Sequence, residues 1–329
     1  MTATPVPVRA LFQQRFAGDD ALLRLAARRF AEAGMPAELY ADNPDELDRV
    51  LRYVPEHEVL PTVHLSRGIN LLEPGGRAVV DAFASRFAGR LAGLVVHDHP
   101  AMRQRTADVV DALRDVGRAR RAGPMIFLEY AARLGPAWFA DLAQRVANVE
   151  LASMCIDIGH VGIEVAGQAL ATSRPGAQLG TLTAEDATDV QDASHAALPV
   201  VLDLVRAIGP LGKTLHMHLH DGHPLIRGLS DHFSFLMRVP VGFMVEGRCS
   251  LDPLYGPAGL AEILRVATEA CAPGRASFTL EIHQADGRLP FHDTDLFHHW
   301  RDLTNAERMN YWLAVLADNH LLARTALGG

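Results

Sequence analysis

Lysine is nearly missing from this sequence. Of its 31 Lys and Arg residues, only Lys213 is lysine. Schiff-base and P-loop chemistry are therefore excluded from any site not built on Lys213. Cysteine is scarce as well. Cys155, Cys249 and Cys271 are far apart, odd in number and without a CxxC pair. Neither a disulfide framework nor a cysteine zinc site is expected from them. No GxGxxG follows the first candidate strand, which weakens a dinucleotide-binding fold. The amino terminus, "MTATPVPVRALFQQ", has no charged start followed by a long apolar run, and no later stretch reads as a bilayer span. A cytoplasmic location is the expectation. Positive charge is also in deficit: the net charge is −8 and the pI about 6.0. Such a surface repels phosphate backbones, so nucleic acid is a disfavoured partner.

Apolar residues are plentiful. They make up 49% of the 329 positions, ample for a large core. Short apolar runs alternate with amphipathic stretches. Eight candidate strands follow: Val6–Leu11, Ala37–Tyr40, Leu60–His64, Ala92–His97, Met125–Glu129, Leu151–Asp157, Thr214–His220 and Ala276–Ile282. Helical patterns lie between them, such as "DDALLRLAARRFAEAG", with an acidic start and a terminal glycine. Asn43–Tyr53, Ala78–Arg90, Gln104–Arg120 and Gly259–Ala270 read alike. This order predicts an α/β protein, a single-domain (β/α)8 TIM barrel over residues 1–329, ahead of an open doubly wound sheet. Two connections, Ile158–Ala196 and Asp221–Pro257, are expected as long loops after strands 6 and 7. A final helical tail is expected at about 303–329.

Histidine is in excess, and the segment "TLHMHLHDGH" holds four of the 16. In a strand alternate side chains share a face. His216, His218 and His220 therefore lie opposite Leu215, Met217 and Leu219. With the apolar face under the outer helices, the histidines point into the barrel. The same alternation aims Glu129, Asp157, Glu281, His64 and His97 inward near strand C-terminal ends, where barrel enzymes keep their chemistry. Crowded carboxylates raise each other's pKa, and a divalent cation relieves this. The expected cofactor is one divalent metal from Mn, Zn, Co, Fe or Mg, with the imidazoles favouring a transition metal. His216, deepest in its strand, reads as a hydrogen-bonded core residue. His220 and His223 read as substrate contacts or exposed loop residues, and His298–His299 as surface.

The segments "TVHLSRGINLL", "VVHDHP", "FLEY", "CIDIGH", "HLHD", "RVPVG" and "TLEI" resemble, in order, the strand-end motifs of the xylose-isomerase-like barrel superfamily. Sugar isomerases and epimerases, related dehydratases and endonuclease IV share that fold. The resemblance implies that Glu129, Asp157, His218 and Glu281 bind one metal, and that His160 touches substrate or a further metal. His64 and His97 resemble residues that the endonuclease branch uses in a three-zinc site. That branch also has an Asp-x-His before the "IG" step. Here Leu236 and Arg238 occupy those places, leaving Asp231 and His232 as the nearby alternatives.

The expected function is a metal-dependent isomerase or epimerase of a sugar, cyclitol or related polyhydroxy carbonyl compound. Glu129 and Glu281 would act as base and acid through an enediolate. His64, His97, His160, His220 and Arg238 would contact substrate or hold a second metal. The alternatives are a dehydratase using the same proton abstraction and a metal-dependent hydrolase of the phosphodiesterase type. The expected partner is a small polyol or sugar, with homo-oligomerisation allowed.

Overall fold

The computed structural model describes residues 6–13, 18–118, 122–178, 181–225, 232–236, 244–245, 248–249, 253–283 and 303–329. Asp231, Met237, Arg238, Phe243 and His298–His299 lie outside the described residues. Eight parallel strands close a barrel. They are β1 (Val8–Leu11), β2 (Ala37–Ala41), β3 (Thr62–Leu65), β4 (Gly93–His97), β5 (Met125–Glu129), β6 (Ala152–Asp157), β7 (Leu215–Leu219) and β10 (Ala276–Leu280). Each pairs with its neighbour in sequence, and β10 closes against both β7 and β1. A short antiparallel pair, β8 (Met244–Val245) and β9 (Arg248–Cys249), lies between β7 and β10 in the chain. The expected barrel is therefore found, with strand limits within two residues of those read from the sequence.

Local chemistry sets the helices between strands. Asp19 caps α1 (Asp20–Ala33) by accepting from the Ala21 and Leu22 N–H groups, and Gly34 ends it in the left-handed conformation. Asn43 caps α2 (Pro44–Leu51) with proline at its first position. The α1 face Leu22, Leu23, Ala26 and Phe30 is buried against the barrel. Each full burial of a Leu or Phe contributes about 1.5–3 kcal/mol. Helices α3 (Pro74–Arg86) and α5 (Pro136–Val146) open on proline without a side-chain cap and bury apolar faces of their own, and α4 (Thr106–Arg118) lies between them in the chain.

The long connection after β6 is more helical than the sequence indicates. Residues read there as an open loop form α6 (Ile158–Ser173) and α7 (Ala187–His195), followed by α8 (Ala197–Ile208). The first two turns of α6 are buried all round, so they present no polar stripe. The run Ala184–Leu211 is also long and apolar enough to cross a membrane, contrary to the expectation that no such stretch exists. In this fold its Val201, Leu204, Val205 and Ile208 are buried, as in an outer barrel helix. Helix α9 (Gly256–Ala270) precedes β10. The tail forms a further outer helix, Asn305–Ala326, opened by a Thr304–Glu307 capping box. Its Trp312 donates an indole N–H to the Ile282 carbonyl at 2.6 Å.

Candidate metal centre

The barrel register decides which inward side chains meet. His97 pairs with Glu129 across β4 and β5, Asp157 with His218 across β6 and β7, and Tyr40 with His64 across β2 and β3. Glu281 follows directly on β10. One group brings together His64, Glu129, His218 and Glu281, whose ligand atoms lie within 4.8 Å of one another. Glu129 is its pivot. Its Oε2 lies 3.0 Å from His64 Nε2 and 3.1 Å from His97 Nε2, and the two imidazole nitrogens are 3.2 Å apart. Its Oε1 faces His218 Nδ1 at 3.4 Å, and that nitrogen is 2.9 Å from Glu281 Oε2.

A second group lies beside the first: Asp157, His160, His220 and His232. Asp157 Oδ1 accepts from the His160 backbone N–H at 2.7 Å, capping α6, and meets His220 Nε2 at 2.8 Å. His232 arrives from the loop after β7, where Asp221 and Phe233 form an antiparallel bridge. It stacks between His220 and His283, with ring centroids 4.0 Å from each. Gly159 makes room for this arrangement. A Cβ there would fall 1.9 Å from His220 Cε1.

The tautomers point donors inward. His64 Nδ1 lies 3.1 Å from the Leu65 carbonyl, and His220 Nδ1 lies 2.9 Å from the Asp221 carbonyl. A carbonyl only accepts, so both Nδ1 atoms carry hydrogen, and the Nε2 atoms face Glu129 Oε2 at 3.0 Å and Asp157 Oδ1 at 2.8 Å, where a proton, or a divalent ion in its place, satisfies both partners. His218 has its outer nitrogen, Nε2, 2.9 Å from Glu38 Oε1. A ring nitrogen turned to a carbonyl or carboxylate is the usual support of a metal-ligating imidazole.

The charge states suit a cation. Burial raises the Glu129 carboxyl, but His97, His64 and His218 more than offset this and hold it well below the usual carboxylate range. Burial likewise raises Glu281, and His218 and His232 reverse the effect. The Tyr40 hydroxyl donates to Glu281 Oε1 at 2.5 Å. Glu129 Oε2, Glu281 Oε2 and Asp157 Oδ2 are buried and accept no well-formed hydrogen bond from any described residue. The triangle of His64 Nε2, His97 Nε2 and Glu129 Oε2 has edges near the roughly 3.3 Å expected for ligands about 2.0 Å from a tetrahedral ion. These residues fit a divalent metal.

A further triplet, Cys155, His216 and His218, does not fit. His216 spends Nδ1 on Ser277 Oγ at 3.0 Å and Nε2 on Glu38 Oε2 at 3.2 Å, in keeping with its reading as a core residue. Burial pushes the Cys155 thiol far up, leaving it protonated.

Of the four ligands implied by the family resemblance, Glu129, His218 and Glu281 thus fall together with His64. Asp157 falls instead with His160, His220 and His232, and its Oδ1 also caps α6. His97 touches Glu129. His223 is buried, and Phe235 packs toward the C-terminal helix, where its N–H donates to Asn319 Oδ1 at 3.1 Å. Glu38 and Tyr40 were not singled out from the sequence, although "AELYA" alternates like the later strands and carries the signal. His283 follows Glu281 by the same two-residue step.

No family model matches the chain, and no curated protein matches it. Among solved structures it is similar to a thermostable mutant of a xylanase from Cellvibrio japonicus, at 13% identity over 89% of this chain and 90% of that one, with a TM-score of 0.49. It is also similar to the catalytic core of xylanase A, at 13% identity over 89% of this chain and 91% of that one, with a TM-score of 0.45. Likenesses of this size carry no activity or site residue over to this chain.

Proposed function

We propose that the protein is a metal-dependent hydrolase whose barrel mouth holds more than one divalent ion. One observation carries this reading. His64 Nε2 and His97 Nε2 converge on one oxygen of Glu129, at 3.0 and 3.1 Å, while its other oxygen faces His218. A carboxylate with imidazoles at both oxygens would suit two divalent ions held close together. Such ions would supply Lewis acidity to a substrate oxygen and make water nucleophilic near neutral pH. The residues of the chain then divide the work. His64 and His97 would hold an ion with Glu129 Oε2, His218 and Glu281 would hold one with Glu129 Oε1, and Asp157, His160, His220 and His232 form the adjoining donor group. The Leu65 and Asp221 carbonyls fix the ring orientations of His64 and His220. Tyr40 holds Glu281 Oε1, and Oε2 is turned to His218 Nδ1 at 2.9 Å.

A second reading keeps a single ion and an isomerase or epimerase acting on a polyhydroxy carbonyl compound. It is favoured by the placement of His218 Nδ1 between Glu281 Oε2, at 2.9 Å, and Glu129 Oε1, at 3.4 Å. The two carboxylates flank one donor, as a base and an acid flanking one substrate would. Elemental analysis combined with turnover separates the two. More than one tight ion per chain with cleavage of bis-p-nitrophenyl phosphate is expected. A single ion, with solvent deuterium entering at carbon beside a carbonyl of a ketose, would replace the hydrolase by the isomerase.

A further inference from the structure

A cavity of about 290 Å³ opens beside this centre, lined by His97 and His160 from the two donor groups, by Asp98, and by Arg67 and Arg133. Its charge is opposite to that of the protein. Two arginines line it, against one carboxylate whose Oδ1 is already engaged. Asp98 is buried, and its Oδ1 accepts the backbone N–H groups of Ala131, at 2.8 Å, and Ala132. Those contacts pin the loop after β5 just before Arg133. There the chain takes φ = 58°, a left-handed conformation that a non-glycine residue adopts at a cost. The strained turn is thus held by a buried acid and leaves an arginine on the cavity wall.

Arg67 reaches the same wall from the loop after β3. It is exposed, and no hydrogen bond or ion pair joins it to any described residue. Its charge extends to His97, where it adds to burial in lowering that imidazole's pKa. By contrast Arg86, Arg90, Arg105 and Arg145 on the outer helices all pair with aspartates. A planar guanidinium fork matches carboxylate or phosphate oxygens.

We propose that Arg67 and Arg133 form an oxyanion-binding subsite beside the metal centre, and that the substrate carries a phosphate or carboxylate group held there. The inference rests on the mouth being the reaction site. It narrows the substrate to a small anionic molecule, since a cavity of about 290 Å³ lies at the lower end of small-ligand sites.

The test is calorimetric titration of the purified, metal-loaded protein with inorganic phosphate in one arm and malonate in the other. Arg67→Gln, Arg133→Asn and the double variant are compared with the unaltered chain. Asparagine tolerates the left-handed turn, and Arg67 is exposed, so at least the Arg67 variant keeps the test valid if the other misfolds. Each single variant should weaken the preferred anion by about tenfold, as expected for loss of a charge-assisted contact. The tighter anion identifies the group. Equal affinity in the double variant, or no binding of either anion by the unaltered chain at millimolar concentration, overturns the subsite. Metal content and phosphodiester cleavage are recorded separately. Arginine-dependent binding by a single-ion, non-hydrolytic protein would keep the subsite and remove the hydrolase. Full loading with arginine-independent binding would do the reverse.

Discussion

Two layers of the barrel interior are built from the same residue types and differ in how their polar atoms are satisfied. In the lower layer Arg9 donates to Ser277 Oγ at 2.7 Å and to the Leu60 carbonyl at 2.8 and 3.0 Å. Glu38 Oε2 takes Thr62 Oγ1 at 2.6 Å and Thr279 Oγ1 at 3.0 Å, with His216 Nε2 3.2 Å away. In both layers one oxygen of each acid accepts no well-formed hydrogen bond from a described residue: Glu38 Oε1 below, and Glu129 Oε2, Glu281 Oε2 and Asp157 Oδ2 above. The layers differ in what faces those oxygens: Glu38 Oε1 meets His218 Nε2 at 2.9 Å, whereas imidazoles from several elements crowd the upper three. A buried acid is therefore no site marker by itself. Glu38 stabilises the barrel through its partners, whereas the upper acids gather imidazoles. Desolvating a carboxylate costs several kcal/mol unless a charge offsets it, and a cation is the charge that the upper donors suit.

The sharpest way to break this contrast is Glu129→Gln. Glutamine keeps the shape and removes the charge that both oxygens supply. Activity should fall by roughly a thousandfold, or about 4 kcal/mol of transition-state stabilisation. Metal content should fall with it, while circular dichroism remains that of the unaltered protein. A fully loaded and active variant would make the upper layer structural, like the lower one.

Glu38→Ala attacks the other layer and should act mainly on stability. It removes the acceptor that His216, Thr62 and Thr279 share and the partner of His218 Nε2. Breaking a buried pair in this way costs about 3–5 kcal/mol, to be read from denaturant unfolding. Because His218 loses its orienting carboxylate, metal affinity should also drop by about 10–100-fold in a competition titration. Unchanged affinity in a destabilised variant would confine Glu38 to the fold.

Most of the lower layer was not legible in the sequence, and most of the upper one was. Strand alternation sufficed to aim Glu129, His218, Glu281, His64 and His97 inward, because each stands near the end of an apolar run. The same rule applied to "AELYA" finds Glu38 and Tyr40. Their strand carries no histidine to mark it. What alternation lacks is rotation around the barrel. It says that Asp157 points inward but not that its Oδ1 is taken by the first turn of α6. It also leaves out His232, which a loop brings to the mouth. The helical content of Ile158–Ala196 stayed hidden for a different reason. A helix buried on nearly every side shows no amphipathic period.

Gly159→Ala tests whether the two donor groups are separable, with a smaller expected effect. The added Cβ would lie 1.9 Å from His220 Cε1, and both ring nitrogens of His220 are engaged, so the ring must leave its place. The Asp157 group should then lose its ion while the Glu129 group keeps its own. Elemental analysis should show a partial loss, with activity reduced less than in Glu129→Gln. Complete loss of metal would mean that the groups bind as one unit.

The smallest effect concerns a buried imidazole far from the mouth, which shows what burial does without the acids. His320, on the C-terminal helix, lies with Nε2 3.1 Å from the Val8 carbonyl. Burial lowers its pKa from 6.5 to about 4, although the Val8 contact acts in the opposite direction. Between those values the unfolded chain holds a proton that the folded chain does not. Stability then rises with pH, so this contribution is present above about pH 6.5 and is lost as pH falls toward 4. The full loss is at most about 3 kcal/mol by linkage. His320→Gln retains an N–H donor for Val8 and removes the titration. Unfolding followed across this pH range should give a shallower slope for the variant than for the unaltered protein, by up to one proton. Parallel slopes would mean that His320 does not change protonation on unfolding, and that acid sensitivity comes from the mouth histidines instead.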